Sequence, residues 1–178
     1  MEFTEQTLRS RLLSLGVHLE LWGKDEAKSV EHLVEELNAG ECVLDGKVRT
    51  IRPVVLDVWY LRMQLRETFQ IFSDLRVRVR ELKFGSVGEK LRIGEGAKAG
   101  AWRALREELG VKNRHDTYID PLPGDEWEEL SSSYPGLVTR NIQSRFLVRL
   151  SKTYYNPEGY VERQKDKSTH FHWVHVPE

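Results

Sequence analysis

The chain has 178 residues, with 27 Lys and Arg against 28 Asp and Glu, so its formal charge at neutral pH is -1. That length suits one full domain with a short appendage, and 39% hydrophobic against 31% charged residues marks a chain able to fold around a core. The near-zero charge argues against a generally cationic nucleic-acid binder, the single cysteine (Cys42) excludes an internal disulfide framework and a cysteine-rich zinc site, and the short apolar runs leave no membrane span.

Leu8, Leu12, Leu13 and Leu15 predict a first helix, with Thr4 as N-cap and Gly16 closing it. A second helix is expected from Ser29 to Asn38, with Val30, Leu33, Val34 and Leu37 on one stripe and Gly40 as its stop. Ser29 with His32 does not read as a capping box. Asp45-Gly46, between Cys42–Leu44 and Val48–Ile51, signals a hairpin. From there the chain becomes strand-like. Val54 to Leu61 reads as a strand buried on both faces, followed by strands at Thr68–Phe72 and Leu75–Leu82.

Glycines then cluster before a helical pattern from Lys98 to Leu109 that packs Ala101, Trp102, Leu105 and Leu109 and ends at Gly110. Tyr118-Ile119 suggests a short strand. Pro121 to Gly136, with three prolines and the run Ser131–Ser133, reads as a long irregular loop with a helical turn at Asp125–Leu130. Ser144–Tyr155 and Thr169–Val176 are expected to be the last strands. Helices, strands, a helix and further strands in that order predict an α/β domain with a mixed sheet and an N-terminal helical segment.

The stretch from Glu89 to Val111 resembles the signature of the Nudix hydrolase superfamily, which runs Gly, five residues, Glu, seven residues, then Arg-Glu-aliphatic-x-Glu-Glu-x-Gly-aliphatic. Glu95 stands seven residues before Arg103, and Leu105, Glu107, Glu108, Gly110 and Val111 occupy their places in the pattern. Two positions depart from it: the opening glycine is Glu89, with Gly88 one residue early, and the glutamate after the arginine is Ala104. The resemblance implies a Nudix-like α/β/α sandwich over residues 44–178, with residues 1–43 as a helical extension or cap.

Helical periodicity explains why such a pattern suits chemistry. Arg103 and Glu107 stack one turn apart, as do Ala104 and Glu108. Adjacent carboxylates at Glu107 and Glu108 suit a hard cation such as Mg²⁺ or Mn²⁺, which takes oxygen ligands and bridges to phosphates. Arg103 can grip a carboxylate by a forked hydrogen bond and so orient Glu95. The resemblance therefore implies catalytic residues Glu95, Arg103, Glu107 and Glu108, with Glu107 and Glu108 as metal ligands. Ala104 removes an anionic arm that the family uses for metal, and Glu89, Glu158 and Glu162 are candidates by position to replace it.

Arg76, Arg78 and Arg80 project from one side of a predicted strand and could contact phosphate, although a solvated face is the more ordinary reading. Trp127 and Tyr134 in the long loop could line a base-stacking pocket. His170 and His172 share a strand face that His175 does not, which falls short of a zinc set. Ser133 and Cys42 lack any nucleophile setting and read as structural.

The expected function is binding and hydrolysis of a nucleoside diphosphate linked to another moiety, with Mg²⁺ or Mn²⁺ as cofactor. The rival is an inactive binding or scaffold domain that lost its metal cluster at Ala104. An RNA-contacting module is the weaker third reading, opposed by the net charge. A nucleotide-type small molecule is the expected partner, a protein partner or homodimer remains open, and no membrane is involved. The acidic, polar opening Met1–Glu5 resembles no leader, so the cytoplasm is the expected compartment.

Overall fold

The computed structural model describes residues 2–79, 87–112 and 116–177. It divides into two compact units: Met1–Pro53 with Lys90–Glu95 and Gly124–Gln143, and Val54–Glu89 with Gly96–Pro123 and Ser144–Glu178. The expected boundary after residue 43 does not coincide with this division, because the hairpin and two later segments join the N-terminal helices.

In the first unit, α1 (Glu5–Ser14) starts at Thr4, whose side chain accepts from the Thr7 backbone N–H while Thr7 returns a bond to the Thr4 N–H. α2 (Val30–Asn38) starts the same way at Ser29, with the His32 ring Nδ1 accepting from the Ser29 N–H. That is a reciprocal cap where the sequence predicted none, because an imidazole nitrogen does the work of a Glu or Gln oxygen. Leu8 and Leu12 pack with Val30, Leu33 and Leu37, Trp22, Tyr134 and Leu137 in one core. Full burial of each leucine contributes about 2 kcal/mol. Leu13, expected on the packed stripe, is instead exposed.

β1 (Cys42–Asp45) and β2 (Val48–Ile51) form the predicted hairpin, with Gly46 at positive φ in its turn. β2 also runs parallel to the start of β8 (Val138–Arg149), pairing Val48 with Val138 and Ile51 with Asn141. One buried group ties these pieces together. Glu36, 6% exposed on α2, accepts from Lys28 Nζ and Lys90 Nζ on one oxygen, both at 2.8 Å, and from the Arg49 guanidinium on the other. Burial alone would raise its pKa, but Lys90, Arg49 and Lys28 hold it down at about 2.

In the second unit the remainder of β8 runs parallel to β3 (Pro53–Tyr60), and β3 turns into β4 (Met63–Phe72). β4 pairs antiparallel with β5 (Val77–Val79) and with β10 (Lys167–His175), and β10 pairs with β9 (Tyr160–Arg163). β6 (Val87–Lys90) pairs β3. Parallel and antiparallel ladders together make the sheet mixed, and with α3 (Ala97–Leu109) and the N-terminal helices the chain is α/β as expected.

Several expectations change in detail. β3 buries Val54, Leu56 and Val58 on one face and leaves the other half-exposed, rather than burying both. The strand expected over Leu75–Leu82 is described only as Val77–Val79, and Arg80 lies outside the described residues. Pro121–Gly136 is no loop over most of its length, since β7 spans Tyr118–Leu130 and pairs β8. Its two prolines fit because a strand paired on one side can spare N–H donors on the other. Among the described residues no helix is long and apolar enough to cross a membrane.

The β9–β10 connection is equally constrained. Gly159 has φ +83°, and a Cβ there would stand 2.0 Å from the Phe171 carbonyl oxygen. Asn156 donates to the Gly159 carbonyl at 2.6 Å, and Trp173 Nε1 donates to the Asn156 carbonyl at 2.7 Å. No side chain fits at 159 unless the turn leaves β10.

Two outcomes follow. Glu36→Gln should cost about 3–5 kcal/mol in urea unfolding, because it strands the buried Arg49 guanidinium and removes the anion that Lys28 and Lys90 share. Since the folded pKa lies below the unfolded value of 4.5, the parent should lose this contribution as pH falls from about 4.5 towards 2, whereas the variant should show no such loss. Gly159→Ala should destabilise by more than about 2 kcal/mol in the same assay, combining left-handed strain with a backbone clash. A neutral result at either position would contradict the packing described here.

Candidate functional site

α3 begins after Gly96, which supplies no side-chain cap, and ends at Gly110 in the left-handed conformation. Its buried face carries Ala101, Ala104, Leu105, Glu108 and Leu109. Glu108 thus shares the packed side of the helix with alanines and leucines, while Glu107, the next residue back, is half-exposed at the rim.

Arg103, also largely buried, reaches two carboxylates with one nitrogen. Its Nη1 lies 3.3 Å from Glu89 Oε2 on β6 and 3.5 Å from Glu107 Oε2 one turn along. Glu108 receives no such help. It is 8% exposed, and no hydrogen bond or ion pair reaches it among the described residues. Burial first, then repulsion from Glu162, Glu89, Glu67 and Glu107, raises its pKa well above the usual carboxylate range. These five glutamates come from α3, β4, β6 and β9, so the cluster is assembled by tertiary structure.

Two of the four neighbours, Glu89 and Glu162, are among the replacements suggested by sequence position; Glu158 is exposed and is not among the groups that act most on Glu108. Glu67 carried no sequence signal. It faces the cluster beside a β-bulge, because β10 pairs His170 with Phe69 and then Phe171 with Glu67, leaving Thr68 unmatched. An extra residue of this kind re-aims the side chains beside it.

Ala104 is fully buried one turn before Glu108. The position that would carry a carboxylate in the resembled pattern is therefore packed, and its methyl adds apolar surface beside an acid.

The remaining predicted residues lie elsewhere. Glu95 belongs to the first unit, where its Oε2 accepts from the Arg92 N–H at 3.0 Å and closes the turn ahead of the helix. Tyr134 is 0% exposed in the first unit's core, between Trp22 and the Arg49 guanidinium, so its ring offers no face for a base. Trp127 on β7 is 38% exposed. Arg76 binds Asp74 at 2.6 Å and lies over Phe72, while Arg78 is exposed on β5. His170 stacks on Phe69, and His172 Nδ1 lies 2.8 Å from Thr68 Oγ1. Cys42 is buried, and its thiol pKa is pushed up to about 11, which suits a structural role.

The charged groups that act most strongly on Glu108 are carboxylates, and oxygen donors of this kind suit Mg²⁺ or Mn²⁺ rather than a softer metal. A buried acid facing other acids is also what a cation would relieve. As the side chains stand, no three His, Cys, Asp or Glu groups among the described residues converge closely enough to enclose an ion. Glu89 and Glu107 instead rest on Arg103.

No protein-family model and no curated protein matches the chain. Solved structures similar to it include DR0079 from Deinococcus radiodurans, at 17% identity over 70% of this chain and 66% of that one, with a TM-score of 0.43. The chain thus spans just under two thirds of DR0079. Another is the C. elegans Ap4A hydrolase, at 11% identity over 71% of this chain and 80% of that one, with a TM-score of 0.41. Likeness at this level assigns neither a family nor an activity.

Glu108→Gln should raise the melting temperature in chelator at neutral pH. The folded state holds the Glu108 proton above the unfolded pKa of 4.5, so ionisation of the unfolded chain lowers parental stability as pH rises past that value. Glutamine removes the penalty, and calorimetric melting from pH 4 to 8 should show the variant's advantage growing. A lower melting temperature throughout would mean that Glu108 is favourably solvated.

Proposed function

We propose that the chain is a Nudix-like domain that binds a nucleoside diphosphate linked to another moiety, through Mg²⁺ or Mn²⁺ held at Glu107 and Glu108, and hydrolyses it. The observation that carries this reading is Glu108 itself: a buried carboxylate, at the position of the Nudix-type pattern, surrounded by acids and without a cationic partner among the described residues. Buried charges are normally paired or bound to metal, so an acid placed this way suits an ion supplied from outside.

In this reading Glu107 and Glu108 are the ligands on the helix. Arg103, which pairs with Glu89 and Glu107, is a positioning residue beside those ligands. A bound divalent cation would neutralise the diphosphate and lower the pKa of a water attacking phosphorus. Without a cation a diphosphate would meet a cluster of acids at a poorly solvated surface, where charges of like sign repel strongly. Arg76 and Arg78, on the same unit's exposed β5, are candidates for steering an anion rather than gripping it, since Arg76 already holds Asp74.

A second reading has its own observation. Ala104 is fully buried, and no three donors converge among the described residues, as a binding scaffold without a metal would have it. Ala104→Glu separates the two. In chelator the new buried carboxylate should cost about 2 kcal/mol or more. With millimolar Mg²⁺ the cost should shrink, and turnover on a panel of nucleoside diphosphate conjugates, followed by phosphate-product chromatography, should rise above the parent's. A parent with no Mg²⁺-dependent turnover, and a variant that Mg²⁺ neither stabilises nor activates, would leave the scaffold reading standing.

A further inference from the structure

We infer that the second unit's sheet, on the side turned away from its buried core, is a docking surface for single-stranded nucleic acid, with arginines taking phosphates and a cluster of rings taking bases. This goes beyond the metal-binding reading and uses none of its residues.

The register defines the face, because residues paired across a ladder share one side of a sheet. Trp59 on β3 pairs with Arg149 on β8 and with Gln64 on β4, and Gln64 pairs with Val174 on β10. Further along, Arg66 pairs with His172. Beyond the bulge Phe69 pairs with His170, which pairs in turn with Val161 on β9. Alternation adds the pairs Asp57–Leu147, Val55–Arg145 and Ser168–Arg163. None of these residues is buried. The positions between them are: Leu56, Val58, Leu65, Phe146, Val148 and Phe171 form the core side.

The face is cationic. It carries Arg66, Arg145, Arg149 and Arg163, with His170 and His172, and Asp57 is the one carboxylate among these paired residues. Glu67 pairs with buried Phe171 and Glu162 with buried Thr169, so those acids lie on the core side and do not offset the arginines. Asp57 accepts from Gln64 Nε2 at 2.7 Å, and Gln64 Oε1 accepts from Arg66 Nε at 2.9 Å. A neutral amide therefore orients Arg66 and leaves its charge undiminished. Arg66, Arg149 and Arg163 enter no ion pair with a carboxylate among the described residues. A chain of net charge -1 thus gathers four guanidiniums on one side of one sheet, and their planar donors match phosphate oxygens.

Rings stand between the arginines. Phe69 stacks on His170 with centroids 4.4 Å apart and planes 20° from parallel, and the His172 ring lies 6.0 Å from Phe69. Thr68 Oγ1, on the bulge, lies 2.8 Å from His172 Nδ1 and steadies that exposed ring. Guanidiniums alone would serve any polyanion. Rings among them add stacking, which a base offers and a bare phosphate chain does not. A single strand presents its bases, whereas a duplex hides them. Five strands about 4.8 Å apart carry the array across roughly 20 Å, which suits a site of about four nucleotides.

The test is fluorescence anisotropy of a labelled single strand of mixed sequence, about twelve nucleotides long, titrated with the full chain in chelator. Chelator keeps the outcome separate from the metal reading. The single strand should bind below about 100 μM and weaken as salt rises. Arg66→Ala and Arg163→Ala should each weaken binding severalfold and reduce the salt slope by about one. His172→Ala should weaken it about fivefold or more with the salt slope unchanged, and His172→Phe, which keeps a ring, should bind like the parent. Lys98→Ala, which removes an exposed cation from α3, should change nothing. Arg149→Ala replaces any arginine variant whose melting temperature falls. No binding at about 100 μM, or binding that the arginine and His172 variants leave intact, would overturn the inference. So would a matching duplex or inorganic polyphosphate that binds as tightly as the single strand. A dimer in sedimentation that Arg66→Glu dissociates would overturn it too, since a second copy would then cover the face.

Discussion

A glutamate buried among glutamates is the constraint on which the second unit turns. Removing Glu108 from water would be costly even alone, and four further acids act on it with the same sign. A fold can meet such a penalty with a proton, with a cationic side chain or with a bound ion. Arg103 answers for Glu89 and Glu107 and not for Glu108, although all are within reach of the same helix. Structure alone gains nothing from that asymmetry. A hydrophobic residue at 108 would pack beside Leu105 and Leu109 with less penalty, so the acid asks for an explanation in function.

The first unit holds the control. Glu36 is as buried as Glu108, also sits on a helix, and is met by Lys28, Arg49 and Lys90. Its pKa moves down to about 2, while that of Glu108 moves up. Residue type, burial and helical setting are shared, and the sign of the neighbours decides the outcome. Glu36 works as a fastener, drawing α2, β2 and β6 residues onto one carboxylate. Glu108 is fastened by no ion pair among the described residues, and the charged groups that act on it most repel it. The comparison separates a fastening carboxylate from a repelled one by the sign of its neighbours alone.

How much of this could be read from the sequence follows from how local each signal is. The helices, the Asp45-Gly46 hairpin and the glycine stop after Leu109 are legible because caps, turns and 3.6-residue periodicity act over a few residues. The Ser29–His32 cap escapes because histidine accepts only through one ring nitrogen in the right tautomer. β7 escapes because prolines signal a break, and only the pairing partner shows that the edge spares their missing donors. The site divides in the same way. Arg103, Glu107 and Glu108 are visible as a spacing on one helix. Tyr134 reads as a loop aromatic and proves to be core, because its neighbours Trp22 and Arg49 are distant in sequence. Glu67 has no local signature at all, since its direction is set by a bulge that exists only in the pairing with β10.

A missing residue in a sequence pattern is therefore a weaker statement than a missing charge in space. A helix places its side chains by rotation about one axis, so the loss of an acid at Ala104 cannot be repaired within α3 without disturbing the packed face that Ala101 and Leu105 share. A strand packed against the helix, as β9 is, has no such restriction. Alternation leaves Glu162 of β9 half-buried, and the turn at Gly159 fixes where β9 runs. Repair from outside the pattern also has a cost in geometry: arms from separate elements must converge, whereas arms on one helix do so by construction. That is the physical sense in which Glu89 and Glu107 resting on Arg103, instead of on Glu108's side, separates an acidic cluster from a finished binding site.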